Sequence, residues 1–326
     1  MKDQLLEQKI FLAPLANYKS FSGAGQEPGP KKERKMNQII ENQKLKLTVS
    51  EHGAEIKSLI RKSDNREIMW QADAAYWGRT SPVLFPVVGC YYQKKSIYEG
   101  NIYEMGQHGF ARDMDFTFVA KEDNKLTYEL TSNEETHEKY PFDFKLTISY
   151  ILEDSTVKVC WKVENTDYRR IHFSIGAHPA FNCSLDTDYL LFEKAGKPVE
   201  AITANVIAND GSGCLSDEQD IYKLEEGVLK MSDEVFSKDA LVIEDKQADM
   251  VTILDSDKKP FVKVTCPTPL FGVWSPVGKH APFVCIEPWY GRCDRVGFNQ
   301  MLEEREYGNS LNPKDEFNSV YEITVC

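Results

Sequence analysis

The feature that most restricts the fold is a two-residue alternation of apolar side chains in two neighbouring segments. Apolar residues occupy every second position of residues 142–150, FDFKLTISY, and of 157–163, VKVCWKV, where only Cys160 is out of phase. The short acidic segment 151–155, ILEDS, separates them. A period of two is typical of strands with one buried face, so the pattern predicts a β-hairpin.

Most of the remaining chain is also strand-like. Residues 44–50 alternate, and residues 125–132 and 241–245 are expected to be further strands, whereas 73–79 and 232–238 are short enough to form single turns only. Proline and glycine are spread evenly, and no repeat of 20 to 50 residues occurs, which disfavours propellers and solenoids. We expect one all-β domain over residues 36–326, a large two-sheet sandwich.

The first 35 residues differ from the rest. They lack the basic start and continuous apolar run of a signal peptide, and they end in the Gly/Pro-rich and basic stretch FSGAGQEPGPKKERK. This composition predicts a flexible N-terminal appendage or leader.

Charge and cysteine content limit the partners. The formal net charge is −12 and the sequence pI is about 5.1, without a dense basic block, so nucleic acid and anionic membranes are poor partners. Apolar runs are too short for a membrane helix. The eight cysteines form no Cys-x-x-Cys pair, which predicts free thiols in a reducing cytoplasm and no zinc site. We expect no cofactor, because no Gly-rich nucleotide loop occurs.

Three segments place polar residues in apolar strand context: QHGFARDMDF with His108 and Arg112, FSIGAHPAFNC with His178, and APFVCIEPWYGRCD with Glu287. Glu287 follows an apolar run and precedes Pro288, which is expected to end the strand. Desolvation would raise the pKa of such a carboxyl towards the range of a general base.

Each of these residues also has an ordinary interpretation. Glu287 can be solvated or paired with Arg292, His178 can bond a backbone carbonyl in a turn, and His108 can end a strand beside a solvent-facing Arg112. The functional hypothesis therefore depends on the combination of the three segments.

In this order, QHGFAR, YPFDFKLTISYIL with WKVENTD, FSIGAHPAFN and FVCIEPW resemble the galactose mutarotase-like superfamily. The chain resembles the aldose 1-epimerases from about residue 38 to 325, and within them the LacX-type bacterial branch. The resemblance implies a β-supersandwich with a sugar cleft on one face of its large sheet.

The resemblance also implies roles for individual residues. His178 matches the general acid, Glu287 the general base, and His108 a sugar-binding histidine near the ring oxygen. Arg79, Asp239 and Arg112 match or neighbour substrate-binding positions. Apart from the resemblance, the aromatic faces of Trp274 or Trp289 can stack on a sugar, or these residues can belong to the core.

The implied reaction interconverts the α and β anomers of an aldose without a metal or cofactor. Two alternatives stay open: a hexose-6-phosphate 1-epimerase and a non-catalytic carbohydrate-binding protein. A phosphosugar enzyme would need basic residues gathered at the cleft mouth, for which Arg79, Arg112, Arg292 and Arg295 are the candidates. The sequence leaves open whether the protein is a monomer or a homodimer.

Overall fold

The predicted hairpin lies in the interior of the largest sheet of the described residues. In the computed structural model, which describes residues 36–326, its arms pair from Glu153 opposite Thr156 to Phe144 opposite Asn165, so only Asp154 and Ser155 form the turn. The strands predicted at 44–50, 125–132 and 241–245 are also confirmed. Residues 73–79 and 232–238 form turns without a helix. The predicted appendage, residues 1–35, lies outside the described residues.

The described residues form 26 strands, one short α-helix and three 3₁₀ turns. The elements are β1 (Asn37–Glu41), β2 (Leu45–Ser50), β3 (Ile56–Arg61), β4 (Arg66–Glu67), β5 (Val83–Leu84), β6 (Lys95–Tyr98), β7 (Asn101–Glu104), β8 (Thr117–Lys121), β9 (Lys125–Thr131), α1 (Glu134–His137), β10 (Phe144–Glu153), β11 (Thr156–Asn165), β12 (Ile171–Phe173), β13 (Ile175–Ala177), β14 (Ala180–Asn182), β15 (Tyr189–Lys194), β16 (Lys197–Pro198), β17 (Ala201–Ile207), β18 (Leu215–Lys223), β19 (Val228–Lys230), β20 (Leu241–Ile243), β21 (Met250–Leu254), β22 (Pro260–Thr265), β23 (Leu270–Trp274), β24 (Phe283–Tyr290), β25 (Asn309–Leu311) and β26 (Glu316–Val325), with 3₁₀ turns at Tyr92–Lys94, Ala111–Asp113 and Leu302–Glu304.

Two large sheets form the predicted sandwich. The ten-stranded sheet has the order β16-β15-β21-β22-β26-β11-β10-β9-β8, with β19 beside β15. The eight-stranded sheet has the order β18-β17-β20-β23-β24-β13-β5, with β14 also beside β24. Their inner faces meet in one apolar core, which explains the alternation: Leu146 and Ile148 of β10 join the same cluster as Val284 and Ile286 of β24. Within the described range, no helix is long and apolar enough to cross a membrane.

Strand β24 is buried on both faces, because its outer face is covered too. Val284 and Ile286 point into the core, and the alternate residues Phe283 and Cys285 belong to a separate apolar cluster with Trp70. Glu287 lies on this outer face, since successive side chains of a strand point to opposite sides.

The expectation that Pro288 ends the strand is wrong. Strand β24 continues to Tyr290, and Pro288 stays paired with Phe271 of β23. On its other side, the Ile286 N–H donates to the Pro179 carbonyl at 3.3 Å, where the neighbouring strand is interrupted between β13 and β14. The alternation of N–H directions points residue 288 to this same side. The missing proline donor therefore removes a bond where the ladder is already broken.

Glycines in both neighbouring strands leave room for the Trp289 indole. A Cβ on Gly272 of β23 would lie 2.4 Å from Trp289 Cη2, and one on Gly176 of β13 would lie 2.7 Å from its Cδ1. We expect Gly272→Ala to lower the free energy of unfolding by roughly 1–3 kcal/mol, because the indole must move. Chemical denaturation measures the change. Gly106→Ala, where a Cβ meets nothing within 4 Å, is the matched control; equal stabilities of the two variants would contradict this packing.

Candidate active site

Strand register brings His178 and Glu287 together. Gly176 of β13 pairs with Trp289, and Ala180 of β14 pairs with Cys285. His178 is midway between these pairs and therefore lies directly opposite Glu287, on the same face of the sheet. The two side chains approach to 3.4 Å between His178 Nε2 and Glu287 Oε2.

This face of the eight-stranded sheet is the floor of a cavity of about 370 Å³. Residues of the neighbouring strands extend this floor beyond Glu287. Glu287 pairs with Gly272 of β23, and Gly272 pairs with Val242 of β20. Five of the six predicted site residues line the cavity: His108, Arg112, His178, Asp239 and Glu287.

Arg79, the sixth, is not among the lining residues. Its Nη2 donates to Asp113 Oδ1 at 2.7 Å, and its side chain is 30% exposed. Its positive charge nevertheless contributes to lowering the pKa of both His108 and His178. In this geometry Arg79 influences the site by its field and not by lining the cavity.

The ring of His108 is held as a neutral tautomer. The segment turns at His108 and Gly109, both with positive φ, and a Cβ at Gly109 would lie 2.2 Å from the Phe85 carbonyl oxygen. The Gly89 N–H donates to His108 Nδ1 at 3.1 Å. A ring nitrogen that accepts cannot carry a proton, so Nε2 is the protonated nitrogen. Burial, then the neighbouring His178 and Arg112, keep the pKa of His108 well below its usual value.

His178 is enclosed by aromatic rings. Its backbone N–H donates to the Pro82 carbonyl at 3.1 Å, which fixes the strand next to β5. The indole of Trp77 stacks on the imidazole with centroids 4.6 Å apart, and Trp274 meets it edge-on at 5.3 Å. Burial, followed by the charge of Arg112, lowers the pKa of His178 to about 3.

Glu287 is 1% exposed, and its environment opposes its ionisation. Burial, and then the charge of Asp239, raise the pKa of this carboxyl well above its usual value. Within residues 36–326, Glu287 Oε2 and His178 Nδ1 are buried polar atoms without a hydrogen-bond partner. Two titratable groups therefore face each other on a buried floor with hydrogen-bonding capacity left for a ligand.

Asp239 and Arg112 complete the predicted set. Asp239 Oδ1 accepts the Ala240 N–H at 2.8 Å, and burial raises the pKa of its carboxyl. Arg112 Nη2 donates to the Gln107 carbonyl at 2.7 Å, while its buried Nε lies 3.7 Å from Asp113 Oδ2 and has no hydrogen-bond partner in the described part of the chain. Among the predicted residues, the cavity lining thus includes one cation, Arg112, and two carboxyl groups of raised pKa, Asp239 and Glu287.

The family described as Aldose 1-epimerase matches residues 36–300. The chain belongs to this family. It is 27% identical to Protein LacX (plasmid) of Lactococcus lactis subsp. lactis over 295 residues, which cover 88% of this chain and 98% of that protein.

Two solved structures share the fold of this family member. A galactose mutarotase related enzyme from Lactobacillus acidophilus has 32% sequence identity and a TM-score of 0.83, over 89% of this chain and 97% of its own. A galactose mutarotase-like protein from Lactobacillus casei ATCC 334 has 28% identity and a TM-score of 0.82, over 89% and 100%. These similarities confirm the resemblance to the aldose 1-epimerases and to LacX, and they support carbohydrate epimerase activity.

The cavity lining of this family member includes residues that sequence reasoning missed, among them Tyr76, Trp77 and Lys279. Lys279 Nζ donates to the carbonyls of Ala75 and Tyr76 at 3.1 and 2.8 Å and so joins two loops at the cavity. The WGR triplet that contains Arg79 was the available signal for Trp77. Trp274 and Trp289, the two tryptophans considered for sugar stacking, both line the cavity.

The neutral state of His108 predicts a loss of stability in acid. Its pKa is low in the folded protein and about 6.5 in the unfolded chain, so the unfolded state binds the proton first and stability falls as the pH falls below about 6.5. The limiting slope is about 1.4 kcal/mol per pH unit. His108→Asn keeps an acceptor for Gly89, tolerates positive φ and cannot titrate, so it should lose less stability between pH 7.5 and 5.

Denaturant unfolding at the two pH values measures this difference. His137→Asn, at a side chain that is 43% exposed, is the control for the chemical change itself. Equal acid losses in the parent and in His108→Asn would show that His108 is protonated in the folded protein.

Proposed function

We propose that this protein is an aldose 1-epimerase that interconverts the α and β anomers of an aldose through the ring-opened sugar. The observation that carries the proposal is the buried pair of Glu287 and His178, 3.4 Å apart on the floor of a sugar-sized cavity. Anomerisation needs one acid and one base, and no electron or hydride is transferred.

In the proposed reaction, the Glu287 carboxylate removes the proton from the C1 hydroxyl. Protonated His178 donates its proton to the ring oxygen as the bond from C1 to that oxygen breaks, which leaves an aldehyde. Rotation about the C1–C2 bond presents the other carbonyl face. The ring oxygen then attacks C1 and returns its proton to His178, and the new C1 oxygen takes the proton from Glu287.

The pair can hold one transferable proton in two ways. Either Glu287 carries it and both groups are neutral, or His178 carries it and Glu287 is ionised. In the empty cavity, burial favours neutral Glu287 and neutral His178. Sugar hydroxyls that donate to Glu287 would favour its ionised form, because hydrogen bonds to a carboxylate stabilise the charge. Substrate binding then shifts the shared proton towards His178 without uptake from solvent.

The remaining predicted residues are proposed to hold the sugar. His108 offers the Nε2–H as a donor towards the ring-oxygen side, and Arg112 and Asp239 offer a donor and an acceptor to hydroxyls. Arg79 is proposed to contribute by its charge beside them, from its pair with Asp113.

A neutral aldose fits this cavity better than a phosphosugar. Of the four arginines considered for a phosphate, only Arg112 lines it. Arg292 is 2% exposed and bonds Glu244 and Glu306, and Arg295 also pairs with Glu306. Hexose-6-phosphate 1-epimerase stays the alternative because Lys279 adds a second cation to the lining.

We also infer a reducing compartment for this activity. All eight cysteines are free thiols. Cys90 and Cys214 are close enough to Cys293 to add to the effect of burial in raising the pKa of its thiol. A chain in an oxidising compartment would tend to pair such thiols.

Changing Glu287 to Gln should remove the base and keep the shape. We expect kcat/KM for anomerisation to fall by about 10²- to 10⁴-fold, because an amide cannot accept the C1 proton. Polarimetry and exchange NMR with fresh α-aldoses, glucose 6-phosphate included, measure the rate above the spontaneous reaction.

Glu129→Gln, the same change on β9 of the other sheet, controls for the substitution. A Glu287→Gln variant as fast as the parent would refute the assignment of the base. Saturable sugar binding without any acceleration by the parent would favour the carbohydrate-binding alternative.

The pH dependence should be flat through neutrality. In acid, His178 and Glu287 are both protonated and no base is left. This state forms only as the pH falls towards the low pKa of His178, about 3. The pair loses its last proton, and its acid, only above the raised pKa of Glu287. We therefore expect a constant kcat/KM between about pH 5 and 8. A half-maximal drop near pH 6.5, where an ordinary histidine titrates, would contradict this coupling.

A further inference from the structure

Three different ligand atoms converge under the cavity. Within residues 36–326, three potential metal ligands lie close together: His178, Cys285 and Glu287. A ring nitrogen, a thiol sulfur and a carboxylate oxygen of these residues lie within 4.8 Å of one another. Cys285 and Glu287 are two apart on β24 and so share a face, and His178 lies opposite Glu287. Each of the three residues is at least nine-tenths buried.

The spacing of two of these atoms suits a tetrahedral ion. His178 Nε2 and Glu287 Oε2 are 3.4 Å apart. Two such ligands of one tetrahedral Zn²⁺, each about 2.0–2.1 Å from the metal, are about 3.3–3.4 Å apart. Glu287 Oε2 has no hydrogen-bond partner among the described residues, so its lone pairs are free for a cation once the carboxyl loses its proton.

The donor set selects the kind of cation. A thiolate sulfur with an imidazole nitrogen and one carboxylate oxygen suits Zn²⁺, whereas Mg²⁺ and Ca²⁺ prefer oxygen ligands only. The three side chains leave a fourth position, and the cavity that Glu287 and His178 line has room there for a water molecule.

We infer that His178, Cys285 and Glu287 form an inhibitory Zn²⁺ site. Binding displaces the thiol proton and the proton shared by the pair to solvent, and the metal then occupies the carboxylate and imidazole that act on the sugar. The binding claim stands on the geometry of the three ligands. The inhibition claim rests on the proposed epimerase function. Zinc is thus an antagonist of this site and not a cofactor.

Cobalt is the spectroscopic probe for this site. Titrating the untagged full-length protein with Co²⁺ should give one equivalent of intense tetrahedral d–d bands and a thiolate charge-transfer band, and Zn²⁺ should abolish both. Absent bands, or only the weak d–d bands of octahedral cobalt, would overturn the proposal.

Cys285→Ser tests the ligand set without altering the residues that line the cavity. Losing even an outer-shell partner costs 10- to 100-fold in metal affinity, so losing this ligand should weaken Co²⁺ and Zn²⁺ binding by about 100-fold or more. Cys266→Ser, at an equally buried thiol beside the other sheet, should bind like the parent. Bands that survive in Cys285→Ser place the metal elsewhere and refute the site.

Two further measurements separate this proposal from the proposed function. Anomerisation by Cys285→Ser should stay within about twofold of the parent and resist Zn²⁺, with circular dichroism and the melting temperature as checks of the fold. If Cys285→Ser does not fold, Glu287→Gln must weaken the cobalt bands in its place. Cobalt bands in a protein without epimerase activity would support the metal site and refute only the proposed epimerase function.

Discussion

Burial of the Glu287 carboxyl group against His178 is the constraint on which the site depends. An isolated carboxylate taken out of water is strongly disfavoured, and Arg112 lowers the pKa of His178 instead of supplying a counter-ion to Glu287. Burial therefore favours the neutral form of both groups. The strand that holds Glu287 is fixed beyond its end by a buried ion pair, in which Arg305 Nε donates to Asp294 Oδ1 at 2.7 Å. Rigid positioning of two unsatisfied groups is what proton transfer to a ligand requires.

The part of the fold that could be predicted is the part determined by local sequence. Alternation in residues 142–150 and 157–163 specifies a strand with one buried face, whatever pairs with it. The order of ten strands in a sheet depends on pairings between distant segments, such as β11 with β26, which no local pattern encodes. Pro288 shows the same limit. Its strand-ending tendency is real, but the interruption between β13 and β14 makes the missing donor harmless.

The candidate site divides in the same way. His178 and Glu287 stand out in sequence because each is a polar residue within an apolar strand, and their register then places them face to face. Trp77 and Lys279 come from turns, where no periodicity indicates the direction of a side chain. Arg79 follows Trp77 of the cavity lining by two positions. It does not line the cavity itself, because its side chain pairs with Asp113. Such a competing ion pair is visible only in three dimensions.

Ligand spacing along a sequence fails for a related reason. The rules for zinc sites assume ligands on one turn or hairpin, and they find nothing among eight scattered cysteines. Here a two-residue spacing on one strand supplies Cys285 and Glu287. The interruption between β13 and β14 supplies His178, which comes 107 positions before Cys285 in the chain. A buried floor that keeps hydrogen-bonding capacity free for a sugar also keeps lone pairs free for a soft cation. In the two proposals, the same buried side chains therefore serve either the sugar as an acid–base pair or the cation as ligands, and a bound sugar and a bound cation exclude each other.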